Sequence, residues 1–248
     1  MTGPWPARTV RTVPCPRPYE SDLHASLDTM VREAGDYFAG GGRLHSTVRR
    51  LAGRLSGEGI AYALLGGMAL GEHGYVRMTE DVDVQLTAEG LARFREQLEG
   101  RGYVGTHPGA ARSFRDVESG VRIEVLVSGE FPGDGRPKAV SFPDPAVAAV
   151  EVEGVRILDL PRLVELKLAS GISAPHRLRD LADVQEIIKA RRLDEAFAGR
   201  LDGSVREAYL ELLTRGQSCP PGRPEHRPQD DGCEPAPAIA RPRPSRVT

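Results

Sequence analysis

The chain predicts an α+β fold, a mixed sheet flanked by helices with a C-terminal helical extension. Three observations predict it. Apolar residues recur at helical spacing at both ends of the segment 21–215, whereas between 60 and 127 the pattern changes to period two or to short apolar runs. The extended stretches alternate with helices at first and then follow one another directly. The resulting order is α-β-α-β-α-β-β-β and then helices, with no internal repeat, which fits a mixed sheet better than a doubly wound parallel one.

Leu23, Leu27, Met30, Val31, Ala34 and Phe38 share a helical stripe after Ser21 or Asp22 as cap, and Gly40-Gly41-Gly42 ends it. This helix is expected to be an appendage that docks on the core or on a partner. A second helix carries Leu44, Val48, Leu51 and Leu55 and closes near Gly57 and Gly59. Ile60–Leu65 reads as a short buried strand, turned by Gly66-Gly67 into a helix over Met68–His73. Asp81-Val82-Asp83-Val84-Gln85-Leu86 alternates polar and apolar, as a half-buried strand does. Thr87 then caps a helix with Leu91, Phe94 and Leu98, closed by Gly100 and Gly102. Strands are expected over 103–106, 112–117 and 121–127, with Ser119-Gly120 as a tight turn between the last two. A Gly- and Pro-rich loop spans 129–145, and 150–157 reads as a hairpin about Gly154. Asp159 as cap and Pro161 in the first turn start a helix that ends at Gly171. Further helices follow over 177–191, from Asp194, and over 203–214.

The 248 residues hold 33 Lys and Arg against 35 Asp and Glu, a formal net charge of −2. That balance argues against a general nucleic-acid binder, though not against a protein that holds one RNA end. The longest mostly apolar stretch, Ile60 to Leu70, is too short to span a bilayer, and the N-terminus has no apolar run to serve as a secretory signal. The expectation is a cytoplasmic protein with no membrane partner. Residues 1–20 and 216–248 hold 13 of the 20 prolines, the single tryptophan Trp5 and all three cysteines, Cys15, Cys219 and Cys233. Such tails are expected to be disordered. Between them, 21–42 reads as the appended helix and linker, 43–158 as the catalytic domain and 159–215 as the helical subdomain. The core without tails carries 25 basic and 30 acidic residues and no cysteine. Structural zinc, a disulfide framework and a cysteine nucleophile are therefore not expected in it.

Asp81 and Asp83 are two apart on a strand, so their carboxylates stand on one face. Two such carboxylates repel unless a cation lies between them, and hard oxygen ligands suit Mg²⁺. Gly66-Gly67 lets the backbone approach a ligand and opens a helix N-terminus. Glu124 sits on the mostly apolar strand 121–127, where a carboxylate needs a cation or donors. Arg122 shares its face as a structural partner, and Glu124 is equally placed to complete a three-carboxylate site.

Gly66-Gly67, then Arg77-x-Thr79-x-Asp81-x-Asp83, then a carboxylate on a later strand, resembles the nucleotidyltransferase superfamily of polymerase-beta-like fold. The variant looks most like the abortive-infection (AbiEii-like) toxin nucleotidyltransferases. Lys167 on one helix and Arg177-x-Arg179-Asp180-x-x-Asp183 on the next are similar to the same family's pattern. The resemblance covers about 60–190, with Glu124 where many relatives have Asp and Met68 where many have Ser. It implies Asp81, Asp83 and Glu124 as ligands of two Mg²⁺ ions (or Mn²⁺), with those three and Lys167 as the catalytic set. Gly66, Gly67, Arg77, Thr79, Lys167, Arg177 and Asp180 would hold the NTP, with Thr79 orienting a carboxylate and Asp183 an orienting residue. His73 is expected to be structural. The implied reaction moves NMP from an NTP to a hydroxyl of an RNA (tRNA) or protein acceptor, with an antitoxin partner. A small-molecule nucleotidyltransferase of the aminoglycoside or lincosamide kind shares the Gly-Gly, Arg-Thr and Asp-x-Asp elements, and a catalytically silent nucleotide-binding module is the third reading.

Overall fold

The computed structural model describes residues 15–217. The expected C-terminal tail, apart from 216 and 217, and residues 1–14 of the N-terminal one lie outside the described residues. The chain runs α1 (Tyr19–Leu23), α2 (Leu27–Phe38), α3 (Gly42–Gly57), β1 (Tyr62–Leu64), α4 (Gly66–Glu72), β2 (Asp81–Leu86), α5 (Ala88–Gln97), β3 (Tyr103–Gly105), β4 (Ser113–Asp116) and β5 (Arg122–Val127). It continues with α6 (Pro145–Ala148), β6 (Ala149–Val152), β7 (Val155–Leu158), α7 (Leu160–Ser173), a 3₁₀ turn (Pro175–Arg177), α8 (Leu178–Arg191), α9 (Glu195–Ala198) and α10 (Gly203–Gln217).

The seven strands form one mixed sheet in the order β3-β4-β5-β2-β1-β7-β6. β2 lies at its centre, parallel to β5 and antiparallel to β1. Its inward alternation is complete: Val82, Val84 and Leu86 are fully buried, and they meet Ile123 and Val125 of β5 in the core. Asp81 and Asp83 take the opposite face, as period two requires. The hairpin β6–β7 joins the sheet through a parallel β1–β7 pair at Leu64 and Ile157, a non-local pairing that its own sequence does not announce. Helix starts follow their caps: Thr87 accepts from Gly90 N, and Asp159 accepts from Arg162 N at 2.9 Å.

Two expectations at the N-terminus are corrected. The ordered fold begins inside the segment assigned to the tail, because Tyr19 is buried and Glu20 accepts from both Nη atoms of Arg115. The helix expected from 22 to 38 is two helices, α1 and α2, broken where Ser26 caps the second. The docking face of α2 also differs. Glu33 and Tyr37 are buried, while Leu27, Met30, Val31 and Phe38 remain exposed. Polar bonds set that orientation: Glu33 pairs with Arg43, and the Tyr37 hydroxyl donates to the Arg77 carbonyl at 2.9 Å.

Candidate active site

The site is assembled where β2 and β5 run parallel in register. Asp81 stands opposite Arg122 and Asp83 opposite Glu124, so four neighbouring side chains on one sheet face form an array of three acids and one base. The chain upstream packs onto this array. Gly66 begins α4 with φ +64°, and a Cβ placed there would lie 1.9 Å from Asp83 Oδ2. Glycine is required here twice, by the left-handed backbone and by the carboxylate. Gly67 packs against the side chain of Thr79 in the same way, with 2.9 Å to its Cβ.

Each carboxylate has a different environment. Asp81 Oδ1 accepts from Thr79 Oγ1 at 2.9 Å and Oδ2 from Arg122 Nη2 at 2.7 Å. Glu124 Oε1 accepts from Ser113 Oγ at 2.8 Å and lies 3.5 Å from Arg122 Nε. Asp83 accepts no side-chain hydrogen bond among the described residues. Burial, with the negative charges of Asp81 and Glu124 adding to it, pushes its carboxyl up to about 7, against the opposing charges of Lys167 and Arg177.

Across the pocket, α7 and α8 carry a second cluster. Lys167 Nζ donates to Asp180 Oδ1 at 3.0 Å and to Asp183 Oδ2 at 2.7 Å. Arg77 grips Asp183 with two bonds of 2.7 and 2.9 Å. Ser170 and Arg177 both donate to Asp180 Oδ2, at 2.7 and 2.9 Å. Lys167, Asp180 and Asp183 are buried, and the pairing holds the Asp180 carboxyl below its usual range despite that burial. Lys167 and Arg77 are thus already engaged by carboxylates, so their charge is fixed in place rather than free to swing to a ligand. Arg177 also bonds to Asp180, but its side chain, 52% exposed, is the most open of the three.

Between the halves lies a cavity of about 650 Å³, lined by Gly66, Gly67, Arg77, Thr79, Asp81, Asp83, Arg122, Glu124, Lys167, Arg177 and Asp180 among others. Every residue singled out from the sequence for metal, nucleotide or catalysis reaches this one cavity. Asp183 stands behind it as the anchor of Arg77 and Lys167. His73 does not reach it; its Nε2 lies 2.8 Å from the Leu158 carbonyl, a structural contact. Sequence reading did not single out Ser113 or Ser170, which orient carboxylates, nor the apolar wall of Leu126, Phe131, Phe142, Leu163 and Leu166. Phe131 and Phe142 carried a weak signal, as two of only six phenylalanines in the chain falling within one Gly- and Pro-rich loop.

Among the described residues, no three His, Cys, Asp or Glu side chains converge closely enough to hold a metal ion as they stand. The Arg122 guanidinium lies against both Asp81 and Glu124. The donor set nonetheless fits a hard divalent cation. It offers carboxylate oxygens from two adjacent strands, and Asp83 is half-buried, crowded by like charge and without a side-chain donor. Asp81, Asp83 and Glu124 would hold such an ion once Arg122 turned aside.

No family model matches the chain, and no curated protein matches it either. Eleven solved chains do match. JHP933 from Helicobacter pylori is 18% identical, with 70% of this chain and 89% of that one covered and a TM-score of 0.38. ANT(2")-Ia in complex with adenylyl-2"-tobramycin is 11% identical, with 70% and 96% covered and a TM-score of 0.43. An antigenic nucleotidyltransferase-like protein from Paracoccidioides brasiliensis is 19% identical, with 68% and 86% covered and a TM-score of 0.46.

Proposed function

We propose that this chain is a metal-dependent nucleotidyltransferase of the abortive-infection toxin type, moving an NMP from an NTP to a hydroxyl of an RNA or protein acceptor. An antitoxin partner belongs to the same reading. The division of charge across one cavity carries it: three carboxylates on the sheet side face a helical side where three cations meet two carboxylates. A ligand that is a cation at one end and a polyanion at the other matches that division, and a metal–triphosphate is such a ligand.

In the reaction, the acceptor oxygen bonds to the α-phosphorus, and the bond from that phosphorus to the pyrophosphate oxygen breaks. The hydroxyl proton leaves to a site carboxylate or to water. Two Mg²⁺ ions, or Mn²⁺, held by Asp81, Asp83 and Glu124 would supply Lewis-acid stabilisation of the attacking and leaving oxygens. Thr79 and Ser113 fix the rotamers of Asp81 and Glu124. Gly66 and Gly67 let Asp83 and Thr79 pack against the turn, and α4 presents its N-terminal end beside them. Arg177 reaches the triphosphate from the open side, with Lys167 and Arg77 contributing held positive charge behind it.

The test incubates the purified chain with each α-³²P-labelled NTP, Mg²⁺, total RNA and lysate protein. Label is expected to move to one RNA or protein class, and Asp81→Asn or Asp83→Asn to lower the rate about 100-fold or more while circular dichroism is unchanged. Label moving only to small hydroxylated drugs would transfer the reading to the aminoglycoside kind. NTP binding without transfer to anything would leave a silent nucleotide-binding module and refute the proposal.

A further inference from the structure

The four-cornered array on β2 and β5 holds one base among three acids, and that base is placed to do more than pack. Arg122 sits directly across from Asp81 and diagonally from Asp83, on the same strand face as Glu124. Its Nη2 donates to Asp81 Oδ2 at 2.7 Å while its Nε lies 3.5 Å from Glu124 Oε1. It therefore hydrogen-bonds one carboxylate and pairs loosely with a second, the task a bound cation would perform. The acids are otherwise braced from outside the array, by Thr79 and Ser113, so their positions do not depend on Arg122 alone.

Two further properties suit Arg122 to a removable role. Its side chain is 42% exposed, so the guanidinium has solvent to swing into. Its charge is permanent, so it competes with any cation at every working pH. Arg115, the other arginine of the same sheet region, contrasts with it. Arg115 is buried, grips Glu20 with two bonds and donates to the Gly120 carbonyl, a fixed structural arrangement.

We propose that Arg122 is the internal counter-cation of the metal-free site, and that a divalent cation binds by displacing it from Asp81 and Glu124. This rests on the carboxylate array being a metal site, as in the function proposed above. Metal entry is then an exchange of one cation for another, and the wild-type protein binds metal more weakly than its carboxylates alone would. Arg122 is a positioning residue in this account: it holds Asp81 and Glu124 until a competing divalent cation takes its place.

Mn²⁺ alone is the probe, with free Mn²⁺ counted by electron paramagnetic resonance, so no turnover is needed. Arg122→Gln is expected to bind Mn²⁺ about tenfold more tightly than wild type, and Arg122→Lys to fall between. A residue that merely supports the fold would leave Mn²⁺ affinity unchanged or weaken it when removed, and either result overturns the proposal. Because the variant can lose stability, wild type is read as well: the Arg122 Nη–H resonance bonded to Asp81 should move to a solvent-exposed position on saturation with Mg²⁺. A resonance that stays in its carboxylate-bonded position overturns the proposal. Asp83→Asn in the Arg122→Gln background separates the two levels. If it abolishes tight Mn²⁺ binding, the array is the metal site, and the comparison of Arg122→Gln with wild type decides the exchange. If it changes nothing, the ion binds elsewhere, and the metal-site reading falls together with this one.

Discussion

Replacing Gly66 with alanine tests how the turn and the carboxylate are built against each other. Two costs can be worked out from the geometry. The backbone at Gly66 has φ +64°, and an L-residue held there costs about 1–2 kcal/mol. The new Cβ would lie 1.9 Å from Asp83 Oδ2 and 2.9 Å from its Cγ, so the carboxylate must leave its rotamer at about 0.5–1.5 kcal/mol more. Gly66→Ala should therefore destabilise by about 1.5–3.5 kcal/mol in urea unfolding. Gly71 in the same helix is the control: its φ is not positive and a Cβ there meets nothing within 4 Å, so Gly71→Ala should stabilise by about 0.5–1 kcal/mol. The two costs at Gly66 are separable. In an Asp83→Ala background the clash is gone, and Gly66→Ala should then cost only the backbone part, about 1–2 kcal/mol. An equal cost in both backgrounds, or a cost under about 0.5 kcal/mol in wild type, would refute the claim that this glycine exists to admit Asp83.

Lys167→Met removes the buried cation shared by Asp180 and Asp183 and should cost about 3–5 kcal/mol by urea denaturation, whereas Arg177→Ala, with its side chain half exposed, should cost no more than about 1 kcal/mol. The Asp180 carboxyl is held below its unfolded value of 3.8, so its contribution is present above that pH and is lost as pH falls through the lower folded value. Thermal melts from pH 6 down to about 2 should show a steeper acid loss in wild type than in Asp180→Asn, and parallel curves would count against the network.

Much of the fold was legible because local patterning and global packing agree. Asp81–Leu86 alternates strictly, and the structure buries Val82, Val84 and Leu86 while turning both aspartates to one face. Asp159 and Thr87 announced their helices through cap chemistry that needs no tertiary partner. What stayed hidden was set by partners far away in sequence. Arg77 and Asp183 are separated by 106 residues, and only tertiary packing brings α8 beside the segment that precedes β2. Ser113 orients Glu124 solely because β4 pairs antiparallel with β5 in the register that places them opposite. On α2 the apolar stripe suggested the wrong docking face, because the Glu33–Arg43 pair and the Tyr37–Arg77 bond oppose hydrophobic burial there and prevail.

The two halves of the site solve an electrostatic problem in opposite ways. On the helical side the carboxylates of Asp180 and Asp183 are neutralised in advance by Lys167, Arg77 and Arg177, so burial is compensated and the cluster is rigid. On the sheet side neutralisation is left incomplete. Arg122 answers Asp81 and only grazes Glu124, and Asp83 goes without a donor, which is why its carboxyl is driven up to about 7. A merely structural cluster gains nothing from leaving a half-buried acid unpaired, since replacement by an amide or an apolar residue would remove the penalty. Gly66 makes the same point sterically, because the turn keeps an open, left-handed position solely where Asp83 needs the space. The uncompensated charge and the reserved volume coincide at one carboxylate. Asp83 is accordingly the residue whose substitution should separate function from fold most cleanly: Asp83→Asn removes like-charge repulsion and so should raise metal-free stability at pH 8 while removing a proposed metal ligand. The sign follows from the raised value, since stability associated with protonated Asp83 is present below 3.8 and is lost as pH rises through about 7. A variant less stable than wild type at pH 8 would show that Asp83 serves the fold instead.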